Sequence, residues 1–158
     1  MDFSDWLLAL HVLAAFALIA ALVLFSAVMV ASWADERPRQ AAAYSRVAAI
    51  GGPLVGAGAG LALLLGIALA IDLDAYQVWD GWILVSIALW VIGGAAGQRV
   101  GEHYTRAQAL AERLADAGDG PSPELAATLS DRRVAALHTL TVIAFALILV
   151  LMIFKPGA

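Results

Sequence analysis

His11 and His138 are the ionisable side chains that fall inside the long uncharged stretches of this sequence. A neutral imidazole can bind haem iron or another metal ion, and it can also accept or relay a proton. Because the chain has no cysteine, thiolate metal sites, disulfides and cysteine nucleophiles are excluded. The structural alternative for each histidine is a ring near the membrane interface that bonds to a backbone carbonyl or a lipid headgroup.

The two histidines are predicted to lie in opposite leaflets of a membrane. His11 comes five residues after Trp6, near the start of the first uncharged stretch, and His138 comes five residues after Arg133, near the start of the last one. With a hydrocarbon core of about 30 Å, roughly 15 Å of depth separates the two rings. One metal ion or one bis-histidine haem therefore cannot be shared by this pair within one chain.

Apolar residues dominate the elements that must position these histidines. The 158 residues are 63% hydrophobic and 14% charged, with a mean hydropathy of +0.87, which is far from the composition of a soluble domain. Four apolar spans are each about long enough to cross a bilayer as a helix, and they cover about residues 6–33, 47–71, 80–98 and 134–154. We therefore predict an all-α fold, a transmembrane four-helix bundle with short loops that forms a single integral membrane domain over residues 1–158.

The distribution of charge predicts the orientation of this bundle. Eight of the nine basic residues lie in segments 35–46 and 99–133, whereas segments 1–5 and 72–80 carry acids and no base. By the positive-inside rule both termini face outward. Eight arginines against one lysine favour a GC-rich bacterial source, so we expect a bacterial plasma membrane protein. A net charge of −4 without a basic patch excludes a nucleic-acid partner.

The third span is predicted to continue as a helix into the cytoplasm. Apolar residues recur there at helical spacing, namely Val100, Tyr104, Ala107, Ala111 and Leu114. A turn signal at 118–121 and a helix start signal at 122–124 then predict a second helix, which makes segment 99–133 a helical hairpin. This hairpin is either a solvated connection, with His103 in water, or a docking surface for a membrane-protein partner.

Two rows of glycine at a spacing of four residues are predicted to pack helices together. They are Gly52, Gly56 and Gly60 in the second span and Gly93, Gly97 and Gly101 in the third. Small residues at this spacing let two helix backbones approach closely in lipid. We expect the rows to pack the second span against the third within one chain, and the alternative is self-association into a homo-oligomer. Pro53 is placed in the first turn of the second helix.

The depth of His11 predicts a pocket in the outer leaflet. Gly66, Ser86 and the stretch Val150–Met152 should lie at the same depth, with Lys155 just above them. A base, a hydroxyl and an ammonium group would then surround one site, so His11, Ser86 and Lys155 are the candidate cofactor-binding residues. The alternative for Lys155 is a side chain that extends to the membrane interface.

Other polar residues give weaker signals. His138, alone in the other leaflet, is a lesser candidate ligand. The acids of the outer loop, Asp72, Asp74 and Asp80, have no spacing typical of a calcium loop, so no metal site is predicted. The uncharged stretches hold no charge that an ion pump or a transporter of polar substrates would need, and no acid–base constellation is visible beyond His11.

Short motifs along the chain resemble known membrane families. The motifs are Leu10-His11-Val12-Leu13, Gly60-Leu61, Trp82 at the start of the third span, and the terminal run Ile153-Phe154-Lys155-Pro156-Gly157. They resemble the uncharacterised bacterial families of predicted integral membrane proteins. More distantly, the chain resembles the four-helix haem-associated protoporphyrinogen oxidases and the copper-resistance membrane proteins, which share an early histidine in the first helix. The haem-associated relatives imply that His11 is a haem ligand and that Lys155-Pro156 takes part in the site.

Three functions follow as hypotheses. The leading one is a binding module whose apolar pocket near His11 holds haem b, a membrane lipid or another hydrophobic ligand. The alternative is a structural or assembly protein that self-associates through its glycine rows or docks a partner through segment 99–133. A haem-dependent membrane oxidoreductase is the remaining alternative, and we expect binding rather than catalysis.

Overall fold

The computed structural model describes residues 2–33, 37–72, 77, 79–118 and 120–156, and the elements within these ranges are all helices. The helices are α1 (Phe3–Trp33), α2 (Pro38–Asp72), α3 (Gly81–Ala117), α4 (Pro123–Leu129) and α5 (Arg132–Phe154). Four helical stretches are long and apolar enough to cross a membrane, the last of them within Pro123–Phe154. The predicted all-α fold with four membrane helices is confirmed.

The membrane helices pack in chain order as antiparallel neighbours. α1 packs along α2, α2 along α3, and α3 along α5, so the start of α1 and the end of α5 lie at one end of the bundle. We call this the terminal end, and we call the opposite end, where α3 continues to Ala117, the extension end. The backbones of α1 and α5 do not pack closely along their described lengths.

Side-chain hydrogen bonds tie each neighbouring pair of membrane helices and also join α1 to α5. The bonded pairs are His11 with Ala62 (2.9 Å), Trp90 with Ala59 (3.0 Å), Thr141 with Gly93 (3.3 Å) and Ser26 with His138 (2.8 Å). In the first three pairs a backbone carbonyl accepts the bond. No hydrophobic effect drives helices together in lipid, so close packing and such bonds, at about 0.6 kcal/mol each on average, stabilise the bundle.

The first glycine row does not pack α2 against α3, so that prediction is wrong. A Cβ added at Gly52, Gly56 or Gly60 would meet no atom within 4 Å. α2 approaches α1 instead, through Gly58, where a Cβ would lie 3.4 Å from the Cα of Leu18. Because Gly58 is two residues away from both Gly56 and Gly60, it lies on a nearly opposite face of the helix, and that is the face that α1 covers.

The second glycine row packs in part, but against α5. A Cβ at Gly93 would lie 3.1 Å from the Cβ of Ala144, and one at Gly97 would lie 3.4 Å from Cγ2 of Thr141. A Cβ at Gly101 would meet nothing within 4 Å. α3 has two neighbours in the bundle, α2 and α5, and its glycine face is turned toward α5.

α2 begins at Pro38, nine residues before the predicted span. Pro53 is therefore inside the helix and not in its first turn, so it removes one N–H donor from the helical ladder. The additional turns of α2 lie beside the part of α3 that continues past residue 98.

The apolar stripe of this extension is buried within the chain. Val100, Tyr104, Ala107 and Ala111 are each at most 2% exposed. They share one packed cluster with residues of α1, α2 and α4, namely Phe25, Met29, Ala41, Ala42, Ala48, Leu125 and Leu129. The stripe is therefore neither solvated nor available to a partner, so docking through these residues is excluded. Docking of a partner on the exposed remainder of segment 99–133 stays a prediction. The many alanines in the cluster allow the backbones of α2 and α3 to approach closely.

Polar contacts hold the same region together at its surface. The His103 ring is half-buried, and its Nε2 donates to the carbonyl oxygen of Thr128 at 2.9 Å, so the prediction of a solvated ring is wrong. α4 begins as predicted, with the Ser122 hydroxyl accepting the N–H of Leu125. Side-chain hydrogen bonds from Gln108 and Arg46 hold the pKa of Glu112 below its usual value.

Candidate ligand-binding site

A cavity of about 460 Å³ lies in the terminal half of the bundle. α1, α2, α3 and α5 all line it, and its walls are apolar apart from a few polar groups. The volume is within the range of about 300–1,000 Å³ that is typical of small-molecule sites. His11, Ser86 and Lys155 line this cavity, together with Gly66 and Met152. The structure thus brings three of the four candidate binding residues together.

His11 is buried and held in one orientation by α2. Its side chain is 8% exposed, and its Nδ1 lies 2.9 Å from the carbonyl oxygen of Ala62. Because a carbonyl oxygen only accepts, Nδ1 carries the hydrogen, and the neutral ring keeps its lone pair on Nε2. No residue that the structure describes forms a hydrogen bond with Nε2. A ring fixed through one nitrogen by a carbonyl, with the other nitrogen open, is the usual arrangement of a metal-ligating histidine.

Gly66 makes room for this ring. A Cβ at position 66 would lie 2.9 Å from Cε1 and 3.3 Å from Nδ1 of His11. Gly66 is four residues after Ala62, so its N–H is directed at the same carbonyl that accepts from His11. A side chain at this position would therefore push the imidazole away from its acceptor.

Ser86 and Lys155 supply the other polar groups of the cavity. Ser86 is 8% exposed, and its hydroxyl donates to the carbonyl of Trp82 at 2.7 Å, which leaves the lone pairs of the oxygen able to accept. Lys155 ends α5 in a left-handed conformation, with φ of 39° and a backbone N–H that donates to the carbonyl of Leu151. It is the single lysine of the sequence.

Aromatic residues that the sequence analysis did not single out close the inner side of the cavity. Trp90 and Phe145 line it, and Nε1 of Trp90 donates to the carbonyl of Ala59 at 3.0 Å. Phe145 also belongs to a buried cluster with Leu18 and Ile148. The sequence did offer a signal for Trp90, since a tryptophan in the middle of an apolar span indicates a packed site where the indole N–H finds a hydrogen-bond acceptor.

His138 lies away from the cavity. Its Nε2 is 2.8 Å from the hydroxyl of Ser26, which in turn donates to the carbonyl of Leu22 at 2.8 Å. Its ring packs against Phe25, with centroids 5.5 Å apart. Ser26 is fifteen residues from His11 along α1, about 22 Å in a helix. The two histidines therefore belong to separate sites, and His138 joins α1 to α5.

The arrangement can bind an apolar molecule through one imidazole nitrogen, one hydroxyl and one ammonium group. Within the described ranges, the structure contains no group of three or more histidine or carboxylate side chains that could hold a metal ion. Asp74, one of the three acids of the predicted outer loop, lies outside the described residues.

A comparison with known protein families finds a match that covers nearly the whole chain. A family model described as a predicted integral membrane protein (DUF2269) matches residues 5–156. The chain belongs to this family. The DUF2269 match extends over all four membrane helices, so the protein is an integral membrane protein, and the predicted likeness to such a family is confirmed. A search of curated proteins and a search of solved structures both find no match, and the likeness to haem-associated and copper-resistance proteins stays a prediction.

Proposed function

We propose that this DUF2269 protein is a binding module whose cavity holds an apolar ligand or cofactor, haem b or a membrane lipid, beside His11. The geometry of His11 carries the proposal, because Ala62 fixes one ring nitrogen and the other has no partner among the described residues. A polar atom in apolar surroundings without a partner costs free energy. A ligand in the cavity would supply that partner.

The residues around the cavity fit haem b. Nε2 of His11 would hold the iron in the way of a proximal histidine, and the Ala62 carbonyl would keep the required tautomer. Met152 brings a thioether, a second known type of haem ligand, to the same cavity. Lys155 would pair with a propionate. A bound haem would supply redox chemistry, while these residues bind and orient it.

The same walls also fit the hydrocarbon part of a lipid. Apart from the three polar groups the cavity presents aliphatic and aromatic side chains, which match an acyl chain as well as a porphyrin face. Ser86 and His11 would then accept or donate hydrogen bonds to a polar group of the lipid, with Lys155 near an anionic head.

The visible spectrum of the purified protein, oxidised and dithionite-reduced, separates these ligands. A Soret band with redox-dependent α and β bands, lost in His11→Ala and kept in His138→Ala, would support haem. A featureless spectrum together with a bound lipid in the intact mass would support the lipid. Purified protein with neither ligand would contradict the proposal. The alternative function, a haem-dependent oxidoreductase, would give the same haem spectrum and would also turn over a substrate.

A second candidate function is assembly through the first glycine row. It is supported by the open space around Gly52, Gly56 and Gly60, where no other described part of the chain lies within 4 Å of an added Cβ. Close approach of a second copy at this face would use the packing that small residues allow in lipid. We expect Gly56→Leu to dissociate such an oligomer in detergent and Gly94→Leu, at another open glycine, to leave it intact. A monomeric wild-type protein would reject assembly.

The proposed location is a bacterial plasma membrane with both termini outside. The arginines of segments 35–46 and 99–133 support this orientation. In this orientation the cavity lies in the outer leaflet and the extension end lies in the cytoplasm.

A further inference from the structure

The rim of the cavity indicates where a ligand enters. Certain side chains line the cavity and are also exposed on the outside of the bundle, namely Leu8, Val12, Phe16 and Ile153. Three of them belong to α1 and one to α5. Every lining residue of α2 and α3 is buried or half-buried. The cavity therefore opens sideways, between α1 and α5.

The packing of the helices agrees with a lateral opening. α1 packs along α2 and α5 packs along α3, whereas the described backbones of α1 and α5 do not pack closely along their lengths. Toward the extension end, the seam between α1 and α5 is closed by the hydrogen bond of Ser26 with His138 and by the contact of Phe25 with the His138 ring. The opening is thus confined to the terminal half of the bundle.

The residues around the opening indicate which kind of molecule can enter the cavity through it. Its rim is apolar and belongs to two helices that cross the membrane, so the opening faces lipid acyl chains. Lys155 follows Ile153 by two residues at the end of α5, where a lysine lies at the level of the headgroups. Along the membrane normal, the protein thus presents an apolar opening and then a positive charge. An anionic phospholipid has the matching order, an apolar acyl chain and then a negatively charged headgroup.

We propose that an anionic phospholipid from the leaflet at the terminal end inserts an acyl chain into the cavity through the opening between α1 and α5. Its head lies beside Lys155. This inference rests on the proposed binding function and adds the ligand class and the route of entry. Neither this ligand nor this route of entry requires the cavity to open to water.

Quenching of Trp90 by brominated lipid tests the route. The full-length protein is placed in vesicles that contain phosphatidylglycerol with brominated acyl chains, and Trp90 is made the reporter by replacing four other tryptophans with phenylalanine, namely Trp6, Trp33, Trp79 and Trp82. Trp90 lines the cavity, so a chain that enters the cavity brings bromine next to it.

Variants at the rim give the comparison. We expect Val12→Phe to reduce the quenching of Trp90 about twofold, because the larger ring fills the opening. The matched control is Leu13→Phe, at a neighbouring position that is 65% exposed but does not line the cavity, and it should leave the quenching unchanged. If Val12→Phe does not fold, Ile153→Phe on the opposite rim takes its place.

Two results would overturn the inference. Equal quenching in the rim variant and the control would show that no chain passes through the opening, and equal quenching by brominated phosphatidylcholine and phosphatidylglycerol would remove the preference for an anionic head. A haem spectrum combined with either of these results would leave the proposed binding function intact. A purified protein without any ligand would instead contradict that function itself.

Discussion

His11 bonds to α2 at a point where a glycine lies one helical turn beyond the acceptor. The carbonyl of Ala62 fixes Nδ1, and the missing side chain of Gly66 leaves the space that the ring occupies. Sequence spacing predicted Gly66 and Ser86 at the depth of His11 and Lys155 just above it, and all three line the same cavity as His11. It could not predict the bond to Ala62, because every residue has a backbone carbonyl and the residue type does not indicate which one accepts the bond.

Gly66→Ala should displace the His11 ring and weaken ligand binding. The added Cβ would lie 2.9 Å from Cε1, and the loss of an orienting partner typically lowers metal affinity by about 10–100-fold. Ligand retained per protein after purification measures the effect. Gly60→Ala is the matched control, because its Cβ would meet nothing within 4 Å. Equal retention in the two variants would refute the role of Gly66.

His138→Ala should lower stability without affecting ligand retention. The substitution removes the hydrogen bond with Ser26, and such interhelical bonds contribute about 0.6 kcal/mol on average in membranes, with a maximum near 1.7 kcal/mol. Thermal unfolding in detergent and the ligand content of the same sample check both parts. Loss of the ligand in this variant would mean that His138, and not only His11, belongs to the binding site.

At the scale of elements, the sequence predicted which helices form but not which faces meet. The continuation of α3 and the start of α4 at Ser122 followed from apolar spacing and capping residues. The faces did not follow, because the membrane helices are apolar all round and give no amphipathic signal. Glycine spacing shows that a close approach is feasible, yet it does not say whether α1, α5 or a second chain makes the approach.

Gly93→Val should destabilise the packing of α3 against α5. A Cβ at this position would already lie 3.1 Å from the Cβ of Ala144, and overpacking of a tight contact costs about 1–3 kcal/mol. Gly101→Val, on the same helix but with nothing within 4 Å, controls for the change in helix propensity from glycine to valine. In thermal unfolding in detergent, Gly93→Val should have a lower midpoint than Gly101→Val. Similar midpoints of the two variants would contradict the packing of Gly93 against α5.

Ala111→Gln should detach the extension of α3 from α2. Ala111 is 0% exposed, and burying an amide without a partner costs about 1–3 kcal/mol. Limited trypsin digestion should then cleave faster at nearby arginines such as Arg106 and Arg113. Ala109→Gln, at an exposed position of the same turn, should digest at the wild-type rate. Identical digestion of both variants would argue against a packed extension.

The whole molecule combines a tightly packed extension end with a terminal end that encloses a cavity. At the extension end, alanines of α2 and α3 pack with leucines of α4, while the cavity of about 460 Å³ separates the helices at the terminal end. Hydropathy predicted four spans, but it could not predict this difference, since both ends are rich in apolar residues. Helix packing creates the cavity, and packing depends on side-chain volumes at every contact.

The orientation of the molecule can be tested with single cysteines, because the chain contains none. Asp2→Cys lies at the terminal end and Asp116→Cys at the extension end, both at exposed positions. A membrane-impermeant maleimide added to intact bacteria should label Asp2→Cys directly and Asp116→Cys only after permeabilisation, as the arginine distribution requires. The reverse pattern would place the cavity in the inner leaflet.

A ligand site at His11 is best tested by the intact mass of the protein, released gently from detergent in a mass spectrometer. We expect a bound small molecule on the wild-type protein and on Gly60→Ala, and its loss from His11→Ala and Gly66→Ala. A wild-type protein that carries no ligand, or a ligand retained equally by all four proteins, would contradict a binding site at His11.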